Sequence, residues 1–120
     1  MIRLICVGKI KKKYVKDGVE VFLKRLQKYN RCEYIETNTL KEYNGFSIAL
    51  DVEGKQISSE KFAELIKKID FDYKNINFYI GGSEGLEKDF LDTCEMKISL
   101  SKMTFPNELV RVIFLEQLYR

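Results

Sequence analysis

The chain has 120 residues, of which 45% are hydrophobic and only one is proline. This size and composition predict one ordered domain over residues 1–120 and exclude a disordered tail. The net charge of +3 is compatible with a polyanionic partner but does not demand one. No apolar stretch approaches the roughly 20 residues of a membrane helix and no signal segment opens the chain, so we expect a cytoplasmic protein without membrane contact.

The cysteine pattern argues against a disulfide framework and against a metal site. Cys6, Cys32 and Cys94 are odd in number and widely spaced, which predicts three reduced thiols. The chain contains no histidine and no Cys-x-x-Cys pair. We therefore expect no intrachain zinc site and no other metal.

The first half of the chain alternates β-type and helical patterns. Ile2–Val7 is a β-rich run that ends at Gly8, and Tyr14–Tyr29 carries apolar residues at helical spacing. An apolar-polar alternation over Tyr29–Glu36 predicts a second strand. The nearly all-apolar run Phe46–Val52 predicts a buried parallel strand.

A cluster of positive charge follows the first predicted strand. Five lysines fall within eight residues: Lys9, Lys11, Lys12, Lys13 and Lys16. Such a run is ordinarily a solvated surface. Its place beside a strand end also favours contact with phosphate groups, so both interpretations stay open.

The second half continues the alternation of helices and strands. Ser58 or Ser59 is predicted to cap a helix. The inner face of that helix is predicted to contain Phe62, Leu65, Ile66 and Ile69. A buried strand over Asn77–Ile80, a short helix over Glu87–Cys94 and a short strand over Ile98–Leu100 follow. This order predicts an α/β fold with a mainly parallel sheet flanked by helices.

The strand over Asn77–Ile80 breaks into a glycine-rich loop, Gly81-Gly82-Ser83-Glu84-Gly85. Three glycines within five residues let the backbone approach a ligand closely. A strand that stops in such a loop is a common place for a nucleotide-like group. The spacing matches neither a dinucleotide fingerprint nor a P-loop, and an ordinary tight turn is the alternative.

The last predicted helix has almost no polar face. Pro106 suits its first turn, and the residues from Leu109 to Tyr119 are predominantly apolar. A helix that is apolar all round must be buried on all sides. It is either a central core helix or, as we favour, a helix shared between the core and a homodimer interface.

Four segments taken together resemble the small SPOUT methyltransferases, and within them the RlmH (YbeA-like) family. They are Ile2–Lys9, Ile80–Leu86, Ser99–Pro106 and the end of the chain from Leu109 to Arg120. The resemblance implies a SPOUT-type sheet with a C-terminal trefoil knot and a homodimer around the last helix. It also implies methylation of N3 of a pseudouridine in large-subunit ribosomal RNA, with S-adenosylmethionine as the cofactor.

The resemblance implies a cofactor site at the strand ends. Its residues would be Leu50, Gly81, Gly82, Ser101, Lys102, Met103, Thr104, Phe105 and Pro106. Backbone groups would recognise adenine, while Leu50, Met103 and Phe105 would pack on apolar parts of the cofactor. For Met103 and Phe105, plain core packing is the alternative.

The resemblance also suggests residues for catalysis and for RNA binding. Glu116 is a candidate to orient or deprotonate the target imide, and a helix-face salt bridge is the alternative. Arg111 stands alone among apolar neighbours and must find an anion, so catalysis and structural pairing with Glu116 or a partner-chain acid are both open. Arg120 and the five lysines are the candidates for RNA contact.

Two departures from the family pattern leave a second function open. The chain has only Thr37–Phe46 where family members carry a basic helical stretch, and it stops at Arg120 where they continue with a Tyr-, His- and Arg-rich tail. Both missing pieces are implicated in substrate binding or catalysis in the family. The alternative function is therefore a cofactor- or RNA-binding module with little turnover.

Overall fold

A computed structural model of the protein describes residues 1–28, 32–82 and 85–119. The elements in chain order are β1 (Ile2–Val7), α1 (Lys13–Leu26), β2 (Cys32–Thr37), β3 (Phe46–Gln56), α2 (Ser59–Asp72), β4 (Ile76–Ile80), α3 (Lys88–Thr93), β5 (Met96–Ser99) and α4 (Asn107–Tyr119).

The five strands form one sheet in the order β2-β1-β4-β3-β5, and every pair of neighbouring strands runs parallel. This confirms the predicted α/β fold with a parallel sheet. The strand β4 lies in the middle, and all five of its residues are buried. A parallel sheet brings the carboxyl ends of its strands to one edge, where the loops that follow them meet.

The two faces of the sheet are covered differently. On one face, the Phe78 ring packs against Phe114 of α4 at 4.6 Å and against Phe62 of α2 at 6.0 Å between ring centroids. On the other face, the Tyr79 ring packs edge-on against Phe90 of α3 at 4.7 Å. The alternation of side chains along a strand explains why neighbouring residues of β4 face different helices.

The strand β3 is longer than the sequence predicted. It continues past the predicted end at Val52 to Gln56, and its pairing with β5 is interrupted between Leu50 and Lys55. A Cβ atom on Gly54 would lie 2.8 Å from backbone atoms of Lys97 and Ile98. The absence of a side chain at Gly54 therefore lets this extra stretch lie directly on β5.

The short connection between β2 and β3 is hydrogen-bonded to β1 and β4. The buried Asn77 side chain donates hydrogen bonds to the backbone carbonyls of Tyr43, at 3.2 Å, and of Asn44, at 3.1 Å. Arg3 Nη1 also donates to the Asn44 carbonyl, at 3.2 Å. These bonds hold Tyr43 and Asn44 against β4 and β1.

The helix α2 begins where its local signal predicts. Ser58, not Ser59, caps α2, and its Oγ accepts a hydrogen bond from the Lys61 amide at 3.1 Å. The helix α1 ends at Leu26, and the predicted end at Tyr29 lies outside the described residues.

The helix α4 packs along α1 but is not buried on all sides within one chain. Val112 approaches so closely that a Cβ atom on Gly18 would lie 3.3 Å from its methyl groups. Arg111, Phe114 and Leu115 are buried, whereas Leu118 is half-buried and Tyr119 is 37% exposed. The second surface that the apolar pattern requires is therefore not supplied by the described part of this chain. The trefoil knot stays a prediction.

Candidate functional site

The carboxyl ends of β4 and β5 lie on either side of Leu50 of β3. Leu50 pairs with Ile80 of β4 on one side and with Ile98 of β5 on the other. The glycine-rich loop begins one residue after Ile80, and the segment from Ser101 to Pro106 begins three residues after Ile98. The register therefore brings Leu50 and both predicted loops to the same edge of the sheet.

A small cavity of about 70 Å³ opens between β3 and the segment after β5. Its lining includes the predicted residues Leu50, Ser101, Met103 and Phe105. Met103 is 74% exposed, although it is apolar. The cavity is thus bordered by apolar surface that the protein itself does not cover.

Alternate residues of the segment after β5 face this cavity. Lys102, Thr104 and Pro106 are exposed and do not line it. A local turn holds the segment, because Ser99 Oγ donates to the Ser101 carbonyl at 2.9 Å and Ser101 Oγ accepts from the Met103 amide at 3.0 Å. The Pro106 carbonyl then accepts the Val110 amide at 3.2 Å, where α4 begins.

The two glycines of the predicted cofactor loop have different surroundings. A Cβ atom on Gly81 would lie 2.3 Å from the Gly85 carbonyl carbon, whereas the nearest described neighbour of one on Gly82 is Val7, at 3.6 Å. Among the described residues of this loop, Gly85 is the one with a positive φ, at 78°. Gly81 is required by the folding of the loop, and Ser83 and Glu84 lie outside the described residues.

Arg111 lies buried between α4 and the carboxyl ends of β1 and β2. Its Nη2 donates to the carbonyls of Val7 and Gly8, each at 3.0 Å. Its Nη1 donates to the Tyr34 hydroxyl at 2.8 Å and to Glu36 Oε2 at 3.2 Å. The anion that Arg111 requires is therefore Glu36, and the expected pairing with Glu116 is corrected.

Burial also governs the ionisable groups beside Arg111. The Tyr34 hydroxyl donates to Glu36 Oε2 at 2.8 Å, and burial, Cys6 and this carboxylate raise the Tyr34 pKa. Burial raises the pKa of the Cys6 thiol to about 12, against the opposing charge of Arg111. All three cysteines carry free thiols, and Cys6 is neutral at physiological pH.

Glu116 lies apart from the cavity near Leu50. It is six residues beyond Val110, which lines that cavity, and the helical rise makes this about 9 Å along the axis of α4. Gln117 Nε2 lies 3.4 Å from Glu116 Oε1. The catalytic role of Glu116 stays a prediction.

The five predicted RNA-contacting lysines are all exposed at the carboxyl end of β1. Lys9 and Lys16 line a groove beside β2, and the other three do not. The amides of Lys11 and Lys12 donate to Glu108 Oε1 at 2.8 and 3.2 Å, which ties this segment to the first turn of α4. Arg120 lies outside the described residues.

Two larger cavities, of about 480 and 510 Å³, lie at the opposite edge of the sheet, around Ile2 and Cys32. They are far from the strand ends where the predicted site residues meet. Within residues 1–28, 32–82 and 85–119, no group of three or more His, Cys, Asp or Glu side chains is placed to hold a metal ion. No helix among these residues has the length and apolar character to cross a membrane.

Several residues at these sites were not predicted from the sequence. Asp51 and Val110 line the cavity near Leu50, and Tyr34 and Glu36 form the polar wall around Arg111. Asp51 could have been noticed as a carboxylate directly after a buried apolar run. Tyr34 and Glu36 could have been noticed as two polar residues two apart on one strand, because such residues share a face.

The fold agrees with comparisons to known proteins. The family described as "Predicted SPOUT methyltransferase" matches residues 36–120, a range that contains the cavity, both loops and α4. A structure of a probable methylase family protein from Haemophilus influenzae Rd KW20 superposes with a TM-score of 0.66 at 10% identity, over 98% of this chain. This chain spans 64% of that one, and the likeness shows the fold alone.

Curated relatives match along almost the whole chain. Proteins named "Ribosomal RNA large subunit methyltransferase H" are 42% identical in Coprothermobacter proteolyticus, 38% in Fusobacterium nucleatum and 41% in Clostridium novyi. Each alignment covers 99% of this chain, and 90%, 91% and 91% of the respective relative. This chain belongs to the SPOUT methyltransferase family.

Proposed function

We propose that this protein transfers a methyl group from S-adenosylmethionine to N3 of a pseudouridine in large-subunit ribosomal RNA. The observation that carries the proposal is the identity of 37–42% over 99% of the chain to relatives named as ribosomal RNA methyltransferases. A binding module without turnover is not favoured, because the likeness extends over the whole chain and is not confined to a cofactor site. The substrate class implies action in the cytoplasm.

The cavity near Leu50 offers both apolar surface and polar groups, as a site for S-adenosylmethionine requires. Leu50, Val110, Met103 and Phe105 supply apolar surface, and Asp51 and Ser101 supply oxygen atoms beside it. A site for a small molecule usually has about 300–1,000 Å³. The cavity of about 70 Å³ must therefore widen, and the exposed segment from Ser101 to Pro106 is the part that we propose moves.

The bound cofactor would supply a methyl group on a sulfonium centre, which an aligned nucleophile can accept without a metal. The chain must then align the target base and remove the proton from its N3 atom. We propose Glu116 as the group that orients or deprotonates the imide. Arg111 donates to four acceptors at the carboxyl ends of β1 and β2, so we propose that it acts by positioning α4.

Methyl transfer to ribosomes tests the proposal. The protein, with radiolabelled S-adenosylmethionine, should label large subunits from cells that lack the modification, and mass spectrometry should place the label on a pseudouridine. Subunits that carry uridine in place of that pseudouridine should not be labelled, since the proposed acceptor is absent. Folded protein that binds the cofactor and labels neither substrate would contradict the proposal.

We also propose a homodimer formed through α4. Leu118 and Tyr119 border an open groove of about 480 Å³ whose other wall includes Phe62 and Ile66 of α2. Burying such apolar side chains stabilises an interface by about 1.5–3 kcal/mol each. This groove continues the incompletely buried surface of α4.

Leu118→Glu should therefore give monomers in sedimentation equilibrium at micromolar concentration, whereas the wild type should be dimeric. Phe71→Glu is the matched control, because Phe71 is 91% exposed and does not line this groove. A soluble wild-type monomer at that concentration would rule out the dimer.

A further inference from the structure

A groove of about 440 Å³ runs between α1 and β2, which is an edge strand of the sheet. Lys9 and Lys16 stand on it, and Val19 and Leu23 of α1 supply apolar surface. The wall formed by β2 carries the Tyr34 hydroxyl and the Glu36 carboxylate. The groove thus combines cations, apolar surface and hydrogen-bonding groups.

The charge of the groove favours an anionic ligand. Glu20 and Glu36 also line it, but Glu36 is neutralised by the buried guanidinium of Arg111, at 3.2 Å. Among the described residues, neither Lys9 nor Lys16 forms an ion pair. Lys9, Lys16 and Arg111 carry three positive charges, and Glu20 and Glu36 carry two negative ones. The net charge is +1, and both lysines are available to a phosphate.

Hydrogen bonds within the chain fix the position of Glu36 in the wall of the groove. Glu36 Oε2 accepts hydrogen bonds from Arg111, from the Tyr34 hydroxyl at 2.8 Å and from the Ile10 amide at 3.3 Å. Glu36 Oε1 accepts none from the described part of the chain, and 29% of the side-chain surface is exposed. A fixed carboxylate oxygen with unused acceptor capacity suits an N–H group on the edge of a base.

The groove is close to the cofactor loops. Val7 is the neighbour that a Cβ atom on Gly82 would touch, at 3.6 Å, and Lys9 follows Val7 by two residues. Both features belong to the carboxyl edge of the same parallel sheet. A nucleotide in the groove would therefore lie beside the loops where methyl transfer is proposed.

We infer that this groove is a subsite for a single-stranded nucleotide next to the one that is methylated. Lys9 and Lys16 contact its phosphodiester, the apolar floor packs on its base, and Glu36 accepts an N–H group of that base. The inference rests on the proposed function and deepens it. It assigns different roles to lysines that the sequence treats alike.

The test is the salt dependence of binding to a fluorescent single-stranded RNA oligonucleotide, measured by anisotropy. The double variant Lys9→Gln/Lys16→Gln should flatten the slope of log affinity against log salt by about 0.7, because both lysines contact one phosphodiester and each phosphate neutralised on a single strand contributes about 0.7. Lys11→Gln/Lys13→Gln removes the same charge from residues that do not line the groove, and it should change the slope by less than half as much. Affinity for S-adenosylmethionine should be unchanged in both.

The outcomes separate the groove from the methylation proposal. Equal slopes for the two double variants, or wild-type slope in the groove variant, would overturn the subsite. A groove variant that loses RNA binding as expected, from a wild type that labels no ribosomes, would keep the subsite and overturn the proposed function. Labelling by the wild type that is unchanged in Lys9→Gln/Lys16→Gln at low ribosome concentration would leave methylation standing and overturn the subsite.

Discussion

Replacing Arg111 with methionine should lower the free energy of unfolding by about 3 kcal/mol, at the lower end of the range for breaking a buried ion pair. Methionine keeps most of the buried volume of a side chain that is only 1% exposed. It removes the donors that satisfy the carbonyls of Val7 and Gly8 and the Tyr34 hydroxyl. The loss stays at the lower end because Glu36 is 29% exposed and can regain water.

Urea denaturation measures this loss, and an exposed ion pair supplies the control. Lys97 and Asp92 lie 3.9 Å apart with side chains 41% and 60% exposed, so Lys97→Met should change stability by less than about 1 kcal/mol. Arg111→Lys should fall between the two, since an ammonium keeps the charge but lacks the fork that spans four acceptors. Equal stability of Arg111→Met and Lys97→Met would refute the anchoring role.

The Arg111 anchor should also affect function without touching a substrate. It links α4 to the carboxyl end of β1, which the lysine segment (residues 9–16) follows. It also holds Tyr34 and Glu36 in the wall of the groove. We expect Arg111→Met, studied well below its unfolding temperature, to weaken RNA binding more than cofactor binding. This difference distinguishes loss of the wall from general loosening of the fold.

Much of the fold could be predicted from local patterns in the sequence. The β-rich run at Ile2–Val7 and the buried run before Gly81 were correct within a residue, because a central parallel strand is apolar on both faces. The cap at Ser58 depends on a bond to Lys61 only three residues away. Such local interactions can be predicted from residues that are close in the sequence.

Contacts between residues that are far apart in the chain could not be predicted in this way. Arg111 meets Glu36 across 75 positions of the chain, whereas the sequence suggested Glu116 of the same helix or an acid of a partner chain. The extension of β3 beyond Val52 depends on Gly54 lying against the backbone of β5, which no periodicity reveals. The groove likewise exists only because the sheet places β2 beside β1, next to the lysine segment.

The two neighbouring glycines of the loop should respond very differently to alanine. Gly81→Ala places a methyl group 2.3 Å from the Gly85 carbonyl carbon and 2.6 Å from the Leu86 amide nitrogen, so the loop must refold around it. We expect this variant to lose roughly 2 kcal/mol or more of stability, as strained backbone substitutions do. It should also lose measurable affinity for S-adenosylmethionine in isothermal titration, because the loop after β4 would no longer have its shape.

Gly82→Ala isolates contact with the cofactor from the shape of the loop. The nearest described neighbour of its methyl group would be Val7, at an ordinary 3.6 Å, and Gly82 does not have a positive φ. Stability should therefore stay within about 0.5 kcal/mol of the wild type in urea denaturation. If the cofactor approaches the backbone at Gly82, the added methyl group fills that space, and affinity should fall by about 10-fold or more at unchanged stability. Undiminished affinity would remove Gly82 from the cofactor site and leave Gly81 with a structural role, whereas the expected loss would locate the cofactor where β4 and β1 meet.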